Sequence, residues 1–90
     1  MGSVLKFKRT GLTETHFRLL ADQLRNVSIW AECADDGSLL AVIDDDNMLA
    51  LEVDLRDGIF IAARGGQTFA HARRFAEIVV AISHEIENCA

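Results

Sequence analysis

The 90-residue chain contains no proline, two cysteines and no hydrophobic run near the roughly 18 residues that a membrane-spanning helix requires. Cys33 and Cys89 form no CxxC pair and have no histidine at zinc-finger spacing, which argues against a disulfide framework or a structural metal. The basic residues near the N-terminus have no apolar segment behind them, so no export signal is predicted. We therefore expect a cytoplasmic protein without cofactor or metal.

Linkers and internal repeats are also missing, because no Gly/Ser-rich stretch is long enough to separate domains. Residues 1–11 form a basic arm in which Leu5 and Phe7 alternate with Lys6 and Lys8, a pattern compatible with either an edge strand or a disordered tail. Residues 12–90 are predicted to fold as a single domain.

Negative charge is concentrated in the middle of the chain. The net charge is −5, and residues 32–57 hold nine acidic residues and one basic residue. Such a field disfavours binding to nucleic acid or anionic lipid and favours a basic partner. Its most acidic positions lie in two predicted turns and form a candidate acidic surface, namely Asp35, Asp36, Asp44, Asp45 and Asp46.

The first element is predicted to be a helix that begins after Thr13, whose hydroxyl can accept a hydrogen bond from a free amide of the first turn. Phe17, Leu20, Leu24 and Val27 follow at helical spacing and predict one buried stripe.

From Val27 onward the hydrophobic period is two, with three turn signals. Strands are predicted near 27–34, 38–44, 48–55 and 59–64. If each hairpin closes on two central residues, the faces of the sheet follow from the alternation. The predicted core face holds Ile29, Ala31, Cys33, Leu40, Val42, Leu49, Leu51, Val53, Leu55, Phe60 and Ala62. The predicted outer face holds Trp30, Glu32, Ala34, Leu39, Ala41, Ile43, Met48, Ala50, Glu52, Asp54, Ile59, Ile61 and Ala63.

A second helix is predicted after Gly65-Gly66, with Thr68 as its cap and Ala72, Phe75, Val79, Ile82 and Ile86 on its apolar side. The predicted fold is therefore α+β in two layers, α-β-β-β-β-α, with a four-stranded antiparallel meander and both helices on one face.

Catalytic chemistry is not indicated. Cys33 lies on the predicted core face, where an apolar setting keeps a thiol protonated. The run Asp44–Asn47 does not fit a calcium-loop frame, and Glu52 and Asp54 share a shallow outer surface. We expect a protein that is not an enzyme.

One connection suggests anion binding. Arg64, Gly65, Gly66 and Thr68 combine an arginine, a glycine pair and a predicted helix N-terminus. A tight strand-to-helix connector explains the same residues, because no phosphate-binding motif is present.

The predicted outer face is far more apolar than a solvent-exposed sheet face normally is, and exposed apolar surfaces of this kind usually bind a partner. Its candidate partner-binding residues are Trp30, Leu39, Ile43, Met48, Ile59 and Ile61. We expect a noncatalytic protein-protein interaction module, either a homodimer or a binder of another protein; the alternative is that the basic arm covers the face. Two further hypotheses are an acidic nucleic-acid mimic that blocks a basic target and a small anionic-ligand domain at Arg64. The architecture resembles that of secretion chaperones and small bacterial or phage inhibitor proteins, without a shared motif.

Overall fold

The computed structural model describes residues 11–34 and 36–88, which form an antiparallel sheet and two helices. The elements in chain order are α1 (Glu14–Leu24), β1 (Trp30–Cys33), β2 (Ser38–Asp44), β3 (Asn47–Arg56), β4 (Ile59–Arg64), β5 (Gln67–Ala72) and α2 (Phe75–Asn88). The strand order is β1-β2-β3-β4-β5, so the sheet is a meander. The α+β class is confirmed, but the described residues contain five strands rather than the predicted four. The expectations for the arm at 1–10 and for Asp35 lie outside the described residues.

The first helix begins where the capping pattern predicts. The Thr13 hydroxyl accepts from the His16 amide at 3.3 Å, and the His16 Nδ1 atom accepts from the Thr13 amide at 3.1 Å. Two amides that a helix start leaves unpaired are thereby satisfied reciprocally. On the predicted stripe, Leu20 and Leu24 are fully buried.

The hairpin between β3 and β4 has the predicted register. Glu52 lies opposite Ala63 and Leu55 opposite Phe60. Asp57 and Gly58 both have positive φ, 54° and 77°, as a two-residue turn matched to the twist of a sheet requires. Leu49, Leu51, Val53, Phe60 and Ala62 are consequently buried on the inner face, as predicted.

The strand β2 is turned over relative to the prediction. Cys33 pairs with Leu39 rather than Leu40, because three residues, not two, separate the last pair, Ala34 and Ser38. The β2–β3 turn adds an irregularity between Val42 and Asp44. Since a one-residue shift moves every side chain of a strand to the opposite face, the two faces of β2 are exchanged. The residues concerned are Leu39 and Ala41, which are buried, and Leu40 and Val42, which lie on the outer face.

The predicted start of the second helix is also wrong, because residues 67–72 form β5. Gly65 and Gly66 have φ of 61° and 84° and make a tight hairpin turn in which Arg64 pairs with Gln67. Thr68 therefore lies in a strand opposite Ala63 and caps no helix, and α2 begins at Phe75.

Both helices cover the inner face of the sheet. Leu20 and Leu24 of α1 and Ile78, Ile82 and Ile86 of α2 join the inner-face residues in a single hydrophobic core. At one end of this core the His16 ring stacks on Phe75 at 5.0 Å and meets Phe60 edge-on at 5.3 Å, measured between ring centroids. Neither helix packs against the outer face of the sheet.

The sheet is stepped at β3, its longest strand. The N-terminal half of β3, up to Glu52, pairs with β2, whereas β4 pairs only from Glu52 onward. Among the residues that the structure describes, each half of β3 therefore has one edge without a neighbouring strand. The edge on the β4 side, at Met48 and Ala50, is called the notch below.

Candidate functional site

Three large side chains form an apolar row across the outer face. Trp30 lies opposite Val42, and Val42 lies opposite Met48, so the row crosses β1, β2 and β3 at one end of the sheet. The Trp30 side chain is 48% exposed and Met48 is 67% exposed. The prediction that Ile29, beside Trp30, lies on the core face is wrong, because Ile29 is 62% exposed. Exposed apolar residues gathered in this way typically mark an interaction surface.

Arg25, from the turn after α1, reaches Trp30 and the edge of β1. Its guanidinium carbon lies 4.2 Å from the Trp30 ring centroid, within the range of a cation–π contact. Its Nε atom donates to the Ala31 carbonyl oxygen at 3.2 Å. One ring face of Trp30 and an outward carbonyl of β1 are thereby covered by one side chain.

A cleft of about 640 Å³ adjoins this row. Its lining includes Leu40 and Ala50, which are paired in the sheet, the acidic residues Glu32 and Glu52, and Gly65. The cleft therefore combines apolar and acidic residues.

The structure places four of the six predicted partner-binding residues on the outer face. Trp30 and Met48 are exposed, and Ile59 and Ile61 are half-buried. The placement of Leu39 there is wrong: Leu39 is only 1% exposed because β2 is turned over. Ile43 is corrected for the same reason, since it is half-buried against the core.

The helix layer carries a second apolar surface that the sequence analysis did not single out. A groove of about 400 Å³ between α1 and α2 is lined by Leu19, Phe75, Val79 and Val80, among others. Leu19 on the otherwise polar side of α1 and the wide apolar arc of α2 are the sequence signals for it.

The acidic turns use their carboxylates locally. Asp44 accepts from the Asn47 side-chain amide at 2.8 Å and from the Asp46 amide at 2.9 Å, and these hydrogen bonds hold the pKa of Asp44 below its usual range. Asp36 accepts from the Ser38 amide at 2.9 Å. In a meander these two turns lie at opposite ends of β2, and no group of three metal-binding side chains converges in residues 11–34 and 36–88.

The predicted anion corner lacks its helix terminus. Gly65 and Gly66 connect two strands, and the Arg64 guanidinium is paired with Glu85 at 2.9 Å. The same Glu85 lines the shallow depression beside Arg64, which puts a negative charge where an anion would lie.

Cys33 is half-buried at the end of β1. Burial, and secondarily the negative charge of Asp36, raise the pKa of the Cys33 thiol to about 11. A protonated thiol is a poor nucleophile.

In the part of the chain that the structure describes, neither helix is long and apolar enough to cross a membrane. A comparison with protein-family models, curated proteins and solved structures finds no match to this chain.

Proposed function

We propose that the chain is a noncatalytic protein-interaction module whose outer sheet face is its binding surface, with a second copy of the chain as the simplest partner. The observation that carries the proposal is the apolar row on the face that neither helix covers, in which Trp30 and Met48 are exposed and flank the half-buried Val42. A two-fold axis through such a row would bury the same residues on both copies, as most homodimers do.

The energetics favour association. Burying apolar surface stabilises a complex by roughly 25 cal/mol per Å², and aromatic residues and methionine are enriched at the centres of interfaces. Trp30 is also held in place by Arg25 before any partner arrives, which lowers the conformational entropy lost on binding.

Light scattering over a range of protein concentrations tests the proposal. We expect the mass to approach that of a dimer as the concentration rises, and Trp30→Arg or Met48→Arg to restore the monomer by introducing a buried charge. Val80→Arg is the matched control, because Val80 is 55% exposed in the helix layer. A strict monomer at high concentration would exclude the homodimer. If Val80→Arg alone disrupts the dimer, the interface is the groove between the helices and not the outer sheet face.

A further inference from the structure

In the described part of the chain, two strand edges near the step in the sheet are partly covered by hydrogen bonds from neighbouring residues. The Arg25 Nε atom donates a hydrogen bond to the Ala31 carbonyl oxygen on the outer edge of β1. On the C-terminal half of β3, the Asp54 carboxylate accepts from the Leu55 amide at 2.8 Å and from the Gly11 amide at 3.4 Å. Closing edges in this way prevents uncontrolled strand pairing.

Within residues 11–34 and 36–88, no strand pairs with the notch at Met48 and Ala50. The Val53 amide donates to the Gly37 carbonyl, so the odd-numbered residues of β3 direct their backbone groups toward β2. The even-numbered residues of β3 therefore direct their backbone groups toward β4. The pairing between β3 and β4 ends at Glu52 and Ala63. Met48 and Ala50 are exposed and have no ladder partner in β4.

The surroundings of the notch define what would fit there. Side chains alternate between the two faces of an added strand. In a strand beside Met48 and Ala50, one set of side chains would face the core next to Leu49 and Leu51. The other set would lie on the outer face next to Glu52. Glu32 lines the adjoining cleft together with Glu52. The nearby cation of Arg64 is engaged by Glu85.

We propose that the notch binds an extended segment of another protein, in which apolar residues alternate with lysine or arginine, by strand addition to β3. Main-chain hydrogen bonds to Met48 and Ala50 supply affinity, and the alternating side chains supply specificity. The added strand lies in the plane of the sheet, whereas the proposed dimer stacks on the outer face, so this partner goes beyond the proposed function.

The register argues against a second copy as the occupant of the notch. If two copies paired symmetrically through Met48 and Ala50, Asp46 of the partner subunit would fall beside Glu52, at the position that Ala63 of β4 already occupies. Two acidic side chains would also approach each other there, and like charges destabilise strand pairing. A basic segment instead meets opposite charge at Glu52.

The binding test uses a fluorescein-labelled hexapeptide of alternating valine and lysine, followed by fluorescence anisotropy. We expect saturable binding that weakens with salt. N-methylation of the amides on one peptide edge should weaken it at least about tenfold, because at least one main-chain hydrogen bond is lost. Glu52→Gln should weaken it up to about fivefold, and Glu77→Gln on α2 is the matched control. No binding, or equal binding of a peptide with glutamate in place of lysine, would overturn the proposal.

Amide hydrogen exchange locates the bound strand. The amides of Met48 and Ala50 should exchange at least about tenfold more slowly with the peptide bound, because each gains a main-chain acceptor. The Leu49 and Leu51 amides, directed toward β2, should change little. Protection at Phe69 and His71 instead would place the peptide on the outer edge of β5 and refute the notch. These readouts are independent of dimer formation, so either proposal can fail alone.

Discussion

The Arg25 guanidinium lies over the Trp30 ring, with 4.2 Å between the guanidinium carbon and the ring centroid. This contact joins the end of α1 to the exposed end of the sheet, and Trp30 is the only tryptophan of the chain. Its fluorescence therefore reports on the proposed binding surface alone.

Arg25→Ala should open one face of the Trp30 ring to solvent. We expect stronger quenching by acrylamide and a free energy of unfolding lower by about 0.5–1 kcal/mol, the usual value of an exposed cation–π contact. Arg18→Ala, elsewhere on the exposed side of α1, is the matched control. If the quenching of Arg25→Ala equals that of the wild type, the contact does not shield the ring in solution.

The Cys33 thiol should resist alkylation in the folded protein. With its pKa raised to about 11, the folded thiol has about a hundredfold less thiolate at pH 8 than an ordinary cysteine of pKa 9.0. We therefore expect slow reaction with iodoacetamide in a Cys89→Ser background and fast reaction in urea. Equal rates in the two states would contradict the burial of this thiol.

The same shift predicts a dependence of stability on pH. Because the folded pKa of Cys33 is raised, its contribution is fully present below pH 9.0 and is lost as the pH rises toward about 11. Cys33→Ala should remove this part of the decline, which urea unfolding at pH 8 and pH 10.5 measures. An unchanged decline in the variant would assign it to other groups.

The parts of the fold that local chemistry determines were predictable from the sequence. The Thr13 cap needs only its own neighbours, and the Asp57-Gly58 pair determines a two-residue turn, so α1 and the β3–β4 register are both confirmed. The exposed positions of Trp30 and Met48 follow from the alternation within their own strands.

The predictions from sequence were wrong where the same residues fit more than one local structure. The Asp35-Asp36-Gly37 turn fits both a two-residue and a three-residue closure, and the sheet adopts the longer one, which buries Leu39. Residues 67–72 combine alanine with helical spacing toward Phe75, yet pairing with β4 overrides that preference. The notch depends on where β4 ends relative to β2, which only the complete register shows.

Core packing between the layers should depend strongly on α2. Ile82 is fully buried among residues of both layers, so Ile82→Ala should lower the free energy of unfolding by roughly 2–5 kcal/mol through lost contacts and a residual cavity. Val80→Ala, on the same helix but 55% exposed, should cost less than about 1 kcal/mol. Urea denaturation measures both, and equal losses would contradict the orientation of α2.

Gly11 should be intolerant of any side chain, because a Cβ atom there would overlap the carbonyl oxygen of Leu55. The segment would have to move away from the C-terminal half of β3 and lose its hydrogen bond to Asp54. We expect Gly11→Ala to lower the free energy of unfolding by about 1–3 kcal/mol, as overpacking does. Gly65→Asn is the matched control, since its φ of 61° suits asparagine and no atom lies near its Cβ position. If both variants unfold at the same urea concentration as the wild type, Gly11 does not seal this edge; a loss confined to Gly11→Ala shows that it does.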